Sequence, residues 1–203
     1  MLWRARIIWQ SVRSFGLRAT WLALRAVAHG AVQKIGEFAA LSRIVSELKP
    51  DVVLEIGTHA GGSYWAWCRL ATPTATLVSI DFPGSDDVAS QLRGYLRQEQ
   101  SQRLIRADSH DPKTFEAVRD LGGAVDFLFI DGDHSYEGAK ADFERWQAFV
   151  RPDGHVLFHD AVDTGGYGNV YPGVAQLVEE IERGDGWVRH PGAGSIAHFT
   201  RAS

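Results

Sequence analysis

Asp126-Phe-Leu-Phe-Ile-Asp131-Gly-Asp133-His134 is an apolar run that stops abruptly in two carboxylates and an imidazole, and Val156-Leu-Phe-His159-Asp160 repeats the arrangement further along the chain. Short apolar runs bounded by turn residues read as buried strands. Open parallel sheets bind ligands in the crevice beyond the carboxyl ends of their strands. Two such strands side by side therefore place Asp131, Asp133, His134, His159 and Asp160 around one pocket.

Working outward, Asp51-Val-Val-Leu-Glu55-Ile-Gly57 reads as another strand, running into Gly57-Thr-His-Ala-Gly61-Gly62-Ser63 and an apolar helix through Tyr64, Trp65, Trp67 and Leu70. Glycines let the backbone approach a ligand closely, and free amides at a helix start stabilise negative charge. A tight turn with no ligand would explain the glycines equally well. Glu55, just before the turn, disfavours a pyrophosphate there and favours a cationic or hydroxyl-bearing ligand. Ala75 to Asp81 is the next strand, with Asp81 at its carboxyl end, where a carboxylate can accept ribose hydroxyls. The plain alternative is a solvated Asp opening a loop. A third strand begins at Arg103. Asp111-Pro112 beyond it is a helix start, an N-cap followed by proline, which leaves Asp108 and Ser109 free to meet an adenine edge. The acids at 55, 81, 108 and 131 then mark four successive strand ends.

Strands alternating with helices predict an α/β, doubly wound sheet. Helices are expected over Glu37–Leu48, from about Asp87 to Glu99, over Ser135–Val150 and over Val174–Ile181, with Pro152-Asp-Gly154 as a turn and the segment from Trp187 as a terminal antiparallel hairpin. The glycine-rich stretch Ala161 to Pro172 is expected to gate the pocket. Residues 1–34 carry apolar positions at helical spacing (Trp3, Ile7, Ile8, Val12, Phe15, then Trp21, Leu22, Leu24, Val27) interleaved with Arg4, Arg6, Arg13, Arg18 and Arg25. They read as one or two amphipathic helices outside a main domain over 35–203. Such helices would serve as a lid, a homo-oligomer arm or a peripheral membrane contact, since Trp with Arg and no acid suits an interface.

The formal net charge of -4 gives no general reason to expect nucleic acid, although residues 1–50 hold 8 of the 21 bases and 2 of the 25 acids. A lone Cys68 excludes an internal disulfide. With no cleavable signal pattern and no bilayer-length apolar run, it favours a cytoplasmic setting.

Five ordered stretches carry a family resemblance: Val53-Leu-Glu55-Ile-Gly57-Thr-His-Ala-Gly61-Gly62-Ser63, Ser79-Ile-Asp81, Ala107-Asp108-Ser109-His110-Asp111, Phe127 through Glu137, and Phe158-His159-Asp160. Together they resemble the class I S-adenosylmethionine-dependent methyltransferases. The branch is the metal-dependent O-methyltransferase-like one that includes cephalosporin hydroxylase-like proteins and antibiotic-sugar O-methyltransferases. The resemblance covers roughly residues 35 to 200. It implies a mostly parallel, seven-stranded Rossmann-like sheet closed by the antiparallel hairpin, with the amino-terminal helices as additions.

It also implies that Gly57, Gly61 and Ser63 face the methionine part of S-adenosyl-L-methionine beside Glu55, that Asp81 binds the ribose, and that Asp108 with Ser109 binds the adenine. Asp131 and Asp160 would ligate a divalent metal, magnesium in this branch. Where the branch commonly has two acidic or amide residues in sequence, this chain has His159-Asp160. His159 is a further candidate ligand, and imidazole suits softer metals. The acceptor would be a hydroxyl of a small molecule, a sugar or other natural product, with Asp133 or His134 taking its proton. Each has a plain alternative, Asp133 as a cap on the following helix and His134 as an ordinary loop residue. Two competing readings are a nicotinamide-dependent oxidoreductase, whose turn would read G-x-G-x-x-G rather than Gly-Thr-His-Ala-Gly-Gly, and a catalytically inactive module that only binds the cofactor.

Overall fold

The structure, a computed structural model, describes residues 2–82, 86–161 and 171–202. Seven strands form one sheet: β1 (Val52–Ile56), β2 (Thr76–Asp81), β3 (Ser101–Arg106), β4 (Val125–Ile130), β5 (Val150–Phe158), β6 (Trp187–Ala193) and β7 (Ile196–Arg201). Their order is β3-β2-β1-β4-β5-β7-β6. As expected, the sheet is parallel through β5 and antiparallel at β7 and β6. The order reverses between β1 and β4, and ligand crevices form at such a switch.

Helices α1 (Leu2–Phe15), α2 (Leu17–Ala28), α3 (Ile35–Leu48) and α4 (Gly62–Leu70) precede α5 (Asp86–Tyr95), α6 (Pro112–Glu116), α7 (Tyr136–Trp146) and α8 (Pro172–Arg183). Asp111 caps α6, accepting from the Lys113 amide, and Pro112 opens that helix. Three boundaries differ from expectation. The polar helix ends at Tyr95, α7 passes into a 3-10 turn over Gln147–Phe149, and Pro152-Asp-Gly154 lies within β5, where the register against β4 shifts. That irregularity absorbs the extra residues without interrupting the strand. The expected gate falls almost wholly on residues 162–170, outside the described residues, as do 83–85.

Alternate strand residues face opposite sides, and the sheet accordingly separates two cores. Val53, Phe127, Phe129 and Leu157 pack with α2, α3 and α4, while Leu54, Ile56, Leu128, Ile130, Val156 and Phe158 pack with α7 and α8. The amino-terminal helices are built into the first core. Leu22, Ala23 and Ala26 of α2 are buried, and a Cβ on Gly62 would meet the Ala31 amide at 2.0 Å, so α4 starts directly against the end of α2. His29 stacks on Trp65 with ring centroids 4.9 Å apart. Trp3, Trp9, Leu17 and Trp21 remain exposed on the outer side. No helix among the described residues is long and apolar enough to cross a membrane.

Two buried titratable groups set the pH limits of this core. Glu55 is fully buried, its Oε1 accepting from Trp67 Nε1 at 2.7 Å, with Ser63 and Thr58 also favouring its charge. Burial outweighs these donors and raises its pKa to about 7. On the same face of the sheet, His198 lies between His155 (Nδ1 to Nε2, 2.9 Å) and His190, and burial with these neighbours lowers its pKa to about 3.

The signs are opposite. A carboxyl raised on folding stabilises below its unfolded pKa and loses that contribution as pH rises, whereas an imidazole lowered on folding costs stability as pH falls below its unfolded value. Glu55→Gln is expected to exceed the wild type by about 3 kcal/mol at pH 8 and to match it near pH 4.5 in urea unfolding. Between pH 7 and pH 5 the wild type is expected to lose about 2 kcal/mol more than His198→Gln.

Candidate functional site

A cleft of about 650 Å³ opens at the carboxyl ends of β1, β2 and β4. It is lined by Gly57, Asp81, Asp108, Ser109, Asp131, Asp133 and His134, residues assigned to one pocket from the sequence. Gly57 has φ +85°, and a Cβ there would lie 2.0 Å from the Asp131 carbonyl oxygen. Only glycine lets the ends of β1 and β4 approach this closely. Asp81 Oδ2 accepts from the His59 amide and Oδ1 from the Phe82 amide at 2.7 Å. The carboxylate is thus fixed at the rim, with lone pairs left for hydroxyl donors. Asp108 is held likewise, Oδ1 accepting from the His110 amide at 2.8 Å.

Glu55, Gly61 and Ser63 do not line this cleft. Glu55 and Ser63 are buried beneath the glycine turn, and Gly61 faces Leu92 of α5. Even-numbered residues of β1 lie on the α7 and α8 side, so residue 55 points the other way, into α4. The turn is supported from below by these groups rather than lined by them.

Behind Asp131 the charged groups converge. His159 Nδ1 lies 3.1 Å from Asp131 Oδ1 and 3.3 Å from Asp160 Oδ2, and His134 Nε2 lies 3.5 Å from each of the same oxygens. Asp131, His134 and His159 each bring one ligand atom within 4.8 Å of the others. The outer atoms are held too. Gln33 Nε2 donates to Asp131 Oδ2 at 2.8 Å, Ser195 Oγ approaches Asp160 Oδ1 at 3.4 Å, and His159 Nε2 pairs with Glu37 Oε1 at 3.0 Å. Glu37 Oε2 in turn accepts from the Ser195 amide and hydroxyl at 2.8 and 2.9 Å. Asp160 adopts φ 53°, a left-handed conformation that residues other than glycine seldom take.

The electrostatics follow from this crowding. Burial opposes charge on His159, but Asp131, Asp160 and Glu37 outweigh it and push its pKa up to about 12. Asp131 and Asp160 raise His134 to about 9. Burial works to raise Asp131, Asp160 and Glu37, and their histidine contacts overrule it and hold all three below the ordinary carboxylate range. Asp133 is different. Its Oδ1 accepts from the Ser135 amide at 2.8 Å, its side chain lies over Gly138, and Ser135 is the residue that caps α7. That amide holds its carboxyl low, which makes it a weak proton acceptor.

Sequence reasoning missed Gln33, Glu37, Ser195 and Phe82. The first three come from a loop, a helix and a hairpin far apart in the chain, and no local pattern marks them. Phe82, 70% exposed beside Asp81 in the cleft wall, carries a signal in retrospect, an aromatic left outside at a strand end. The boundary drawn after residue 34 also runs between two contributors to one site, Gln33 and Glu37.

Comparison with known proteins agrees with this fold. The uncharacterized protein y4gI of Sinorhizobium fredii is 34% identical over 126 residues, 58% of this chain and 14% of that protein. Catechol O-methyltransferase B of Danio rerio is 36% identical over 72 residues, 35% of this chain and 27% of that protein. The chain thus spans well under a third of the length of either relative. The crystal structure of the MycE methyltransferase of mycinamycin biosynthesis, in complex with Mg and SAH, superposes with a TM-score of 0.66 at 18% identity, covering 91% of this chain and 54% of that one. A family profile described as a methyltransferase domain matches residues 54–161, from within β1 to just past Asp160. With that match spanning just over half of the sequence and both halves of the site, the chain belongs to this methyltransferase-domain family.

Proposed function

We propose that the chain transfers the methyl group of S-adenosylmethionine to a hydroxyl of a small molecule, with a divalent cation held at the ends of β4 and β5. The observation that carries the reading is the single cleft in which Asp81 and Asp108, placed for a nucleoside, share a wall with Asp131 and His134. The O-methyltransferase relative and the methyltransferase structure with bound magnesium support the hydroxyl acceptor and the cation.

The donor set fits a cation. His134 Nε2 and His159 Nδ1 are buried ring nitrogens without a well-directed hydrogen bond, although carboxylate oxygens lie 3.1 to 3.5 Å away. Asp131, His134 and His159 bring ligand atoms within 4.8 Å of one another, and Asp160 Oδ2 stands 3.3 Å from His159 Nδ1, so one ion could reach them together. Asp131, Asp160 and His159 would hold the ion, which when bound supplies the positive charge that makes a hydroxyl acidic at neutral pH.

The chain's own residues do the rest. Asp81 binds the ribose and Asp108 with Ser109 meets the adenine, while Phe82 covers the base. Glu55 and Ser63 keep the glycine turn in shape under the methionine part. His134, the imidazole that lines the cleft, would take the acceptor proton once Asp131 and Asp160, the carboxylates that hold it protonated, are engaged by the ion. The oxygen lone pair forms the new carbon–oxygen bond as the carbon–sulfur bond breaks, and the sulfur leaves with that electron pair. Alignment supplies most of the rate, because the sulfonium is already activated. A module that binds cofactor without turnover is the reading that the experiments below separate.

Calorimetry is expected to show S-adenosylhomocysteine binding and no NAD binding, with Asp81→Asn weakening the nucleoside by about tenfold or more. In a methyl-transfer assay over sugar and phenolic hydroxyls, Asp131→Asn is expected to lower turnover at least about 100-fold while S-adenosylhomocysteine affinity changes less than about tenfold. Cofactor binding without turnover on any hydroxyl would leave the inactive module standing.

A further inference from the structure

We infer that the pairing of Glu37 with His159 makes the strand-end site a mixed nitrogen and oxygen site that prefers a transition metal, of the manganese, iron(II), cobalt or zinc kind, to magnesium. The inference rests on the cation site proposed above and concerns which ion that site selects. His159 is 6% exposed, and its two ring nitrogens have separate tasks. Nε2 is engaged by Glu37 Oε1 at 3.0 Å, and Nδ1 faces Asp131 and Asp160 with no directed hydrogen bond.

A carboxylate on the far nitrogen is the outer-shell device that fixes the tautomer and orientation of a ligating imidazole and raises its basicity. Glu37 is itself fixed, since the Ser195 amide and hydroxyl hold Oε2. The ring therefore has no freedom to turn Nδ1 away. Gln33 on Asp131 and Ser195 on Asp160 pin the outer oxygens of both carboxylates in the same way. His159, Asp131 and Asp160 are thus each backed by a second residue.

Magnesium dehydrates reluctantly and takes oxygen ligands in near-ideal octahedra, whereas imidazole favours later divalent ions. A buried, pre-aimed nitrogen beside two carboxylates is poor design for the first and good design for the second. Glu37 acts through His159 and is a positioning residue. It sits on α3, before the segment matched by the family profile, so the ion preference is set from outside that segment.

The test uses the full chain, stripped of metal by chelator and titrated calorimetrically with magnesium, manganese and cobalt chlorides in the absence of substrate. The wild type is expected to bind cobalt at least about 100-fold more tightly than magnesium. His159→Asp, which offers an oxygen instead, is expected to reduce that ratio at least about tenfold. Glu37→Gln is expected to weaken cobalt by about 10 to 100-fold. Pulsed electron paramagnetic resonance of the manganese complex is expected to show coupling to a directly bound nitrogen, which needs no variant to fold. Equal affinity for magnesium and cobalt, or no nitrogen coupling in the wild type, overturns the inference while leaving a cation-assisted transferase intact. A coupling that persists in folded His159→Asn and vanishes in His134→Asn also overturns it. Failure of every ion to bind removes the cation from the proposed function as well.

Discussion

Charge buried at the ends of β4 and β5 has to be compensated, and that requirement organises the molecule. Asp131, Asp160 and Glu37 bring three carboxylates into a region where His159 is 6% exposed. Unpaired, such groups would each cost several kcal/mol or change protonation state. Two imidazoles answer them, and Gln33 and Ser195 satisfy the remaining oxygens. The carboxylates and the groups that compensate them come from the loop after α2, from α3, from the ends of β4 and β5 and from the hairpin. The site is therefore also a clasp between the amino-terminal helices and the end of the sheet.

The same clasp explains why the amino-terminal arm is not a separate appendage. α2 closes on the start of α4 through Gly62 and Ala31, and the chain leaving it delivers Gln33 and then Glu37 to the carboxylates. The composition of residues 1–36, rich in arginine and without an acid, describes the outer face of this arm. Its inner face is ordinary core.

Strand parity was legible in the chain and carried much of the site with it. Phe127, Phe129 and Asp131 alternate on one face of β4, as Leu157 and His159 do on β5, and pairing of Phe129 with Leu157 and Ile130 with Phe158 brings Asp131 beside His159. Asp81 and Asp108 stand at the ends of β2 and β3 for the same reason. Glu55 was read correctly as a strand-end acid and incorrectly as lining the pocket. Its parity turns it into α4, where Trp67 receives it. His134 was marked as one of two proton acceptors, and its Nε2 lies 3.5 Å from the same two carboxylate oxygens that His159 approaches.

Taken alone, the sequence determined the alternation of strands and helices in a doubly wound sheet and the acids that stand at the strand ends, because hydrophobic period and turn chemistry are local properties that survive without neighbours. Tertiary structure alone decided which groups stand behind those acids. Glu37 and His159 are 122 residues apart, and Gln33 and Asp131 are 98 apart. Contacts of that separation depend on how a helix crosses a sheet, and no spacing within a single segment encodes the crossing.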